Sequence, residues 1–196
     1  MKIVIATNNK RKIKEIKEIL KEISSDLELL TLEDVGINYD VEETGLSFEK
    51  NSIKKAKEYY ELCKIPVIAE DSGLCIEAFN NLPGIFSKRI FGNKTDEELN
   101  NIIIENMKGV ENRNAKFEAF YTYYDGKNII TSVGYIDGKI LDTISGENGF
   151  SYDKIFYSNE LNKRLSECTN EEKNSISHRR YGLKKIFKKI KNVYNI

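Results

Sequence analysis

The segment KIVIATNNKRKIKEIKEIL, residues 2–20, decides the class of the fold. Lys2–Ala6 is almost entirely apolar and is typical of a short buried strand, and the polar turn Thr7-Asn8-Asn9 follows it. Apolar residues then recur at helical spacing, at Ile13, Ile16, Leu20 and Ile23. A strand that leads directly into a helix from about Lys10 is the beginning of an α/β chain.

The next part of the chain continues the alternation of strands and helices. The patterns predict a strand at Leu27–Leu32, a loop over Glu33–Gly45, a helix at Ser47–Leu62 and strands at Pro66–Ala69 and Leu74–Phe79. Glu70-Asp71-Ser72-Gly73, between the last two strands, is expected to form a turn.

The second half predicts strands joined by turns and closing helices. Thr95 with Glu98, and Thr169 with Glu172, form capping boxes that begin two helices, and a basic amphipathic helix ends the chain. Strands at Ala115–Tyr124 and Asn128–Ile136 each end at an Asp-Gly turn. The order predicts one mixed α/β domain over residues 1–196, with a long twisted sheet flanked by helices.

The balance of charge limits the classes of partner. Lysine and arginine together number 31, and so do aspartate and glutamate. The chain has no overall field that attracts nucleic acid or anionic lipid, so any anion site is made locally. We therefore expect no nucleic-acid or membrane partner.

The cysteines and the N-terminus favour the cytoplasm. Cys63, Cys75 and Cys168 are odd in number and widely spaced, which supports neither a disulfide framework nor a zinc site. The apolar start is too short for a signal peptide, and no apolar run approaches about 20 residues.

A first candidate site is the turn between the first strand and helix, formed by Thr7, Asn8, Asn9, Lys10, Arg11 and Lys12. Unpaired N–H groups and a partial positive charge at a helix N-terminus bind anions, and Lys12 would complete a phosphate-binding cradle. The simpler interpretation is an ordinary helix cap followed by solvated lysines.

Two acidic segments are candidates for metal binding and proton transfer. Glu42-Glu43-Thr44-Gly45, with Lys55 in the following helix, offers hard oxygen ligands that suit Mg²⁺. Asp71, within Glu70–Gly73, lies where a ligand binds in open α/β sheets, and it can hold a metal or accept a proton from water. Solvated loop acids and a self-capped turn are the simpler alternatives.

Two later segments are candidates for recognition of a nucleobase. Gly149-Phe150-Ser151-Tyr152-Asp153 presents aromatic rings and an acid, which can stack on a base and accept its N–H groups. Lys173 with Ser177-His178-Arg179-Arg180 offers donors for purine carbonyl oxygens. Aromatic core residues and a surface histidine are the simpler alternatives.

Six motifs in this order resemble those of the inosine/xanthosine triphosphate pyrophosphatase family, over nearly the whole chain. The matching positions are Thr7, Asn9 and Lys12; Glu43-Thr44-Gly45; Asp71-Ser72-Gly73-Leu74; Pro83 through Arg89; Gly149–Asp153; and Glu171–Arg179. Two positions depart from the usual pattern: Glu70 stands where an aspartate is usual, and Ser151 where a glycine is more common.

The resemblance implies a two-lobed fold with the active site in the cleft between the lobes, and commonly a homodimer. It implies Mg²⁺-dependent hydrolysis of ITP, dITP and XTP to the monophosphate and pyrophosphate. Thr7, Asn9, Lys12 and Lys55 would hold the triphosphate, and Asp71 would be the general base or a metal ligand, with Glu43 as the other metal ligand. The base pocket would be formed by Phe150, Asp153, Lys173, His178 and Arg179, with Ser72 nearby.

Two other functions remain open from the sequence. One is a non-catalytic regulator that binds purine nucleotides, although carboxylates near phosphates favour an enzyme. The other is a nucleic-acid or membrane-surface module built on the basic final helix, for which a core-packed amphipathic helix is the simpler explanation.

Overall fold

The computed structural model describes residues 1–24 and 27–195, which form a mixed α/β fold. In these residues the strands are β1 (Lys2–Ala6), β2 (Glu28–Thr31), β3 (Val67–Ile76), β4 (Leu82–Pro83), β5 (Asn114–Tyr124), β6 (Ile129–Ile140), β7 (Phe156–Ser158) and β8 (Lys163–Arg164). The α-helices are α1 (Lys10–Ile23), α2 (Phe48–Cys63), α3 (Ser87–Phe91), α4 (Asp96–Asn106), α5 (Asn170–Ile176) and α6 (His178–Tyr194). The predicted fold class is confirmed.

Local capping explains where the main helices begin. The side chains of Asn9 and Ser47 accept hydrogen bonds from the first backbone N–H groups of α1 and α2. The predicted capping boxes at Thr95 and Thr169 are both formed. Among residues 1–24 and 27–195, none of the helices combines the length and the apolar composition that a membrane-spanning segment requires.

The sheet is mixed, with the strand order β2-β1-β3-β5-β6-β7-β8 and with β4 beside β3. β1 runs parallel to β2 and to β3, with Ala6 opposite Ala69, whereas β7 runs antiparallel to both β6 and β8. The parallel pairs join strands of the βαβαβ part of the chain, and antiparallel pairing begins at the end of β3, where β4 lies beside it.

The chain divides into two compact units. Unit 1 comprises residues 1–71, 119–134 and 179–196, and unit 2 comprises residues 72–118 and 135–178. The strands β3, β5 and β6 contribute residues to both units.

In unit 1, apolar residues of β1 and β3 alternate between two helical layers, because successive strand residues face opposite sides of a sheet. Ile3, Ile5 and Ile68 pack in a cluster with residues of α1 and α6. Val4 and Ala69 pack in a second cluster with Ala56 and Tyr59 of α2. The faces of β3 are therefore assigned: even-numbered Ile68 lies towards α1 and α6, and odd-numbered Ala69 lies towards α2.

Unit 2 has an aromatic core on β5 and β7. Phe117 packs against Phe156, with ring centroids 4.7 Å apart, and stacks on His178 at 5.1 Å. His178 is 4% exposed, so the alternative of a surface histidine is wrong.

Two predicted turns are wrong. Glu70–Gly73 continues β3, and Asp137-Gly138 lies inside β6. Pairing of both ends of β3 with β1 and β4, and of Gly138 with Ser158 of β7, holds these residues extended despite their turn-type sequence. The predicted strand at Leu74–Phe79 ends at Ile76, and a short 3₁₀ helix occupies Glu77–Phe79.

Candidate active site

Strand β3 carries two consecutive buried acids, Glu70 and Asp71. The alternation of β3 directs Asp71 towards α2, on the side of Ala69, and Glu70 towards α1 and α6, on the side of Ile68. Each acid is the centre of its own group of polar side chains within unit 1.

On the α2 side, Asp71 contacts two residues that lie one helical turn apart. Asn51 donates through Nδ2 to Asp71 Oδ2 at 2.8 Å, and Lys55 Nζ lies 4.0 Å from Asp71 Oδ1. Lys55 also donates to Glu43 Oε1 at 2.7 Å. The ammonium of Lys55 therefore joins the two carboxylates that the sequence offered as metal ligands.

Burial sets the ionisation of this group. Burial raises the pKa of Asp71, and the charge of Glu43 adds to this, while Lys55 and the hydrogen bond from Asn51 act against it. Burial alone would lower the pKa of Lys55, but Asp71 and Glu43 outweigh it, so that pKa is raised. The group therefore contains a permanent cation beside a carboxylate with more than usual affinity for a proton.

Asn51 is a residue of this site that the sequence did not reveal. It is fully buried, and its Oδ1 accepts a hydrogen bond from the N–H of Gly45 at 2.7 Å while its Nδ2 holds Asp71. A Cβ on Gly45 would lie 2.5 Å from Asn51 Oδ1, so the loop that carries Glu43 needs glycine there. The only available signal was that Asn51 precedes Lys55 by four residues on α2.

On the other face of β3, Glu70 is held by cations and a phenol. Lys12 Nζ lies 3.4 Å from Glu70 Oε1, and two nitrogens of Arg179 lie 3.3 Å from its two oxygens. Tyr121 donates to Glu70 Oε2 at 3.3 Å. Burial and the charge of Glu70 raise the pKa of Tyr121 well above its usual range, so the phenol keeps its proton and donates.

The turn before α1 forms the cap that the simpler interpretation described. Asn9 Oδ1 accepts from the N–H groups of Arg11 and Lys12 at 3.0 and 3.2 Å, and Thr7 Oγ1 accepts from the N–H of Asn9. Asn8 donates to Asp40 at 3.1 Å. Asn8, Asn9, Lys10 and Arg11 are exposed, whereas Thr7 and Lys12 are half-buried.

Unit 2 brings together the aromatic turn and Lys173. Asp153 Oδ2 accepts hydrogen bonds from the N–H of Phe150 at 2.8 Å and from Lys173 Nζ at 2.7 Å, and Lys173 Nζ lies 4.8 Å from the centre of the Phe150 ring. Gly149 has φ +79°, and a Cβ there would lie 2.3 Å from Asp153 Oδ2. A left-handed glycine is therefore required for the acid to close this turn.

The remaining candidates have separate surroundings. Tyr152 is buried, and its hydroxyl lies 2.6 Å from that of Ser87. Ser72 is half-buried in β3. Arg179, which the sequence grouped with His178 and Lys173, is part of unit 1, where it pairs with Glu70 and, at 2.8 Å, with Glu15.

The described residues contain no dedicated metal cage. Within residues 1–24 and 27–195, no three His, Cys, Asp or Glu side chains are grouped so as to hold a metal ion. Glu43 and Asp71 nevertheless supply hard oxygen donors, and Mg²⁺ commonly takes only one or two protein carboxylates, with substrate phosphates and water as its other ligands. The donor set fits an ion that arrives with a polyphosphate.

Comparisons with known proteins match nearly the whole chain. The family model described as the Ham1 family matches residues 3–189. A "dITP/XTP pyrophosphatase" of Clostridium tetani is 41% identical and covers 96% of both chains. The solved structures of Ham1 proteins from Staphylococcus aureus and Coxiella burnetii are 34% and 31% identical, with TM-scores of 0.87 and 0.88. They cover 98% of this chain, and 100% and 99% of their own chains. The resemblance carried by the six sequence motifs is confirmed, and the chain belongs to the Ham1 family.

Proposed function

We propose that this protein hydrolyses the deaminated purine nucleoside triphosphates ITP, dITP and XTP to the monophosphate and pyrophosphate. The relatives named dITP/XTP pyrophosphatase support this activity. The observation that carries the proposal is the group of buried Asp71, buried Lys55 and half-buried Glu43, because it combines a proton acceptor with a cation and hard metal-binding oxygens.

Asp71 is proposed as the general base. Its carboxylate accepts a proton from a water molecule, whose oxygen attacks the α-phosphorus while pyrophosphate leaves. Its buried position beside the ammonium of Lys55 favours this role. Asn51 orients the carboxylate by its hydrogen bond to Oδ2.

Unit 1 is proposed to bind the triphosphate. Lys12 and Lys55 neutralise phosphate charge, and Thr7, Asn8, Asn9, Lys10 and Arg11 offer donors around the N-terminus of α1. Mg²⁺, held by Glu43 and Asp71, would supply charge neutralisation of the phosphate oxygens when bound. The ion pairs of Arg179 favour a role in orienting Lys12 through Glu70.

Unit 2 is proposed to bind the purine base. Phe150 offers a ring face for stacking, and Lys173 a donor for the oxygen at position 6; Ser72, Ser151, Tyr152 and His178 complete this candidate set. Asp153 holds both Phe150 and Lys173 in place. Adenine carries an amino group at position 6, so donors would face donors, and such mismatches reduce turnover by roughly 10⁴-fold.

The test is pyrophosphate release from a panel of ITP, dITP, XTP, ATP and dATP, with and without Mg²⁺. We expect turnover of the three deaminated nucleotides in the presence of the metal, and turnover of ATP that is lower by roughly 10⁴-fold. Binding of dITP without pyrophosphate release would instead support the regulator, and equal turnover of ATP and ITP would refute the proposed base recognition.

Two substitutions test the proposed roles of the acids Asp71 and Glu43. Asp71→Asn keeps the shape of the side chain and should lower kcat by roughly 10²-fold or more, as loss of a general base does. Glu43→Gln should raise the Mg²⁺ concentration needed for activity. Glu42→Gln is the matched control, because Glu42 is the exposed neighbour. Normal turnover by Asp71→Asn would exclude Asp71 as the base.

We further propose that the enzyme is cytoplasmic and acts as a homodimer without nucleic-acid or membrane partners. The equal numbers of positive and negative residues support the absence of a polyanionic partner. Light scattering after size-exclusion chromatography measures the oligomeric state, and a monomer at micromolar concentration would contradict the dimer.

A further inference from the structure

Helix α4 holds the backbone of Ser151 by hydrogen bonds to both its N–H and its carbonyl group. Asp96 Oδ2 accepts a hydrogen bond from the N–H of Ser151 at 2.9 Å, and Asn100 Nδ2 donates to its carbonyl oxygen at 3.1 Å. Asp96 and Asn100 are four residues apart on α4, so they lie on one face of the helix. All three residues belong to unit 2.

Ser151 itself has an unfavourable backbone conformation. Ser151 has φ +57°, in the left-handed region that a residue with a Cβ rarely adopts. Phe150 and Tyr152 flank it directly, and a change in its conformation would move both aromatic side chains. Two hydrogen bonds to its peptide are a physical means of holding this conformation.

Asn100 is an unusual residue to find at such a depth. It is fully buried, and its Oδ1 has no hydrogen-bond partner among the described residues. A buried amide with an unsatisfied oxygen destabilises a fold relative to an apolar residue of similar size. The hydrogen bond from Asn100 Nδ2 to the Ser151 carbonyl offsets part of this destabilisation.

We propose that Asp96 and Asn100 are positioning residues for recognition of the purine base. They hold the backbone of Ser151 by hydrogen bonds from α4, and Asp153 holds the neighbouring N–H of Phe150 by a hydrogen bond within the turn. The Phe150 ring, and the Lys173 ammonium that Asp153 joins to the same turn, are then held in place before the nucleotide arrives, so less conformational entropy is lost on binding. This inference rests on the proposed function, because it concerns the base site of that reaction.

The test compares two substrates in each variant. Asp96→Ala and Asn100→Ala should each lower the ratio of kcat/KM for dITP to that for dATP by roughly tenfold, mainly through the KM for dITP, since misplacement of a binding group by about 1 Å can cost up to about 10²-fold. A general loss of folded enzyme lowers both values equally and leaves the ratio unchanged.

Three further variants make the result specific. Asp96→Asn keeps an acceptor oxygen and should restore a ratio within about threefold of wild type, as expected for a positioning acceptor. Asn101→Ala, at the exposed neighbour of Asn100, should match wild type. Ser151→Gly adopts the left-handed conformation without cost, and it should partly rescue the ratio in the Asp96→Ala background.

The outcomes separate the two proposals. A wild-type protein that does not hydrolyse dITP would refute the proposed function, and the role of the two residues with it. An active wild type with an unchanged substrate ratio in both alanine variants would refute only the positioning role. If Asn100→Ala does not fold, Asp96→Ala at the half-buried start of α4 decides the question.

Discussion

Glu70 offers the sharpest test of how unit 1 is held together. Substitution Glu70→Gln removes one negative charge and almost no volume. Lys12 and Arg179 would then share a largely buried site without this carboxylate, while Glu15 still pairs with Arg179. The substitution therefore leaves excess positive charge where water cannot easily reach it.

The size of the effect follows from burial. The side chains of Glu70 and Arg179 are 2% and 4% exposed, and that of Lys12 is 18% exposed. Removing one partner from a buried ion pair costs about 3–5 kcal/mol, because the other charge is left uncompensated. With a urea m-value of about 2 kcal/mol/M, the unfolding midpoint should fall by about 1.5–2.5 M.

Urea unfolding followed by far-ultraviolet circular dichroism measures this change, since the chain contains no tryptophan. The matched control is Glu22→Gln. The Glu22 carboxylate pairs at 2.6 Å with Arg180, the neighbour of Arg179 on α6, but the Glu22 side chain is 59% exposed. Exposed pairs contribute about 0–1 kcal/mol, so the control midpoint should hardly move. A Glu70→Gln midpoint no lower than that of the control would refute the claim that Glu70 neutralises Lys12 and Arg179.

Two further predictions concern ionisable groups outside the site. Burial raises the pKa of the Cys75 thiol to about 11. Iodoacetamide at pH 8 should therefore alkylate half-buried Cys63 well before Cys75. Peptide mass spectrometry measures the two rates, and equal rates would contradict this prediction. Burial opposes ionisation of Asp125, but hydrogen bonds from Tyr194 and from the N–H groups of Asn128 and Lys127 lower its pKa to about 2. Because the folded-state pKa is depressed, this stabilisation, about 1 kcal/mol after solvent screening, is present above about pH 4 and lost as the pH falls to about 2. Asp125→Asn should therefore be less stable than wild type at pH 7 and equal to it near pH 2, and a constant difference in thermal midpoint would count against the assignment.

The sequence predicts those features of the fold that depend on neighbours along the chain. The start of α1 follows from Asn9 and the start of α2 from Ser47, because each cap acts within three residues. The capping box of α4 at Thr95 was found for the same reason. Each of these signals lies entirely within one short segment.

Features that depend on distant partners were missed. Glu70–Gly73 has the composition of a turn, and pairing of the two ends of β3 with β1 and β4 is what holds it extended. Asn51 is an ordinary helix residue in the sequence, and its two hydrogen bonds join segments six and twenty residues away. Arg179 follows His178 directly, yet the two side chains have different partners in different units.

The register of the sheet determines which face of β3 each of the two acids, Glu70 and Asp71, occupies. Val4, Ile5 and Ala6 of β1 lie opposite Val67, Ile68 and Ala69, and this pairing fixes which face each later residue of β3 occupies. A shift of one residue would move Asp71 to the face of α1 and α6 and Glu70 to the face of α2, since the side chains of a strand alternate. Glu70 could then no longer neutralise the two cations, and Asp71 would lose Asn51 and Lys55. The buried apolar residues that set the register of β1 and β3 are therefore also what keeps the proposed proton acceptor apart from the carboxylate that holds Lys12.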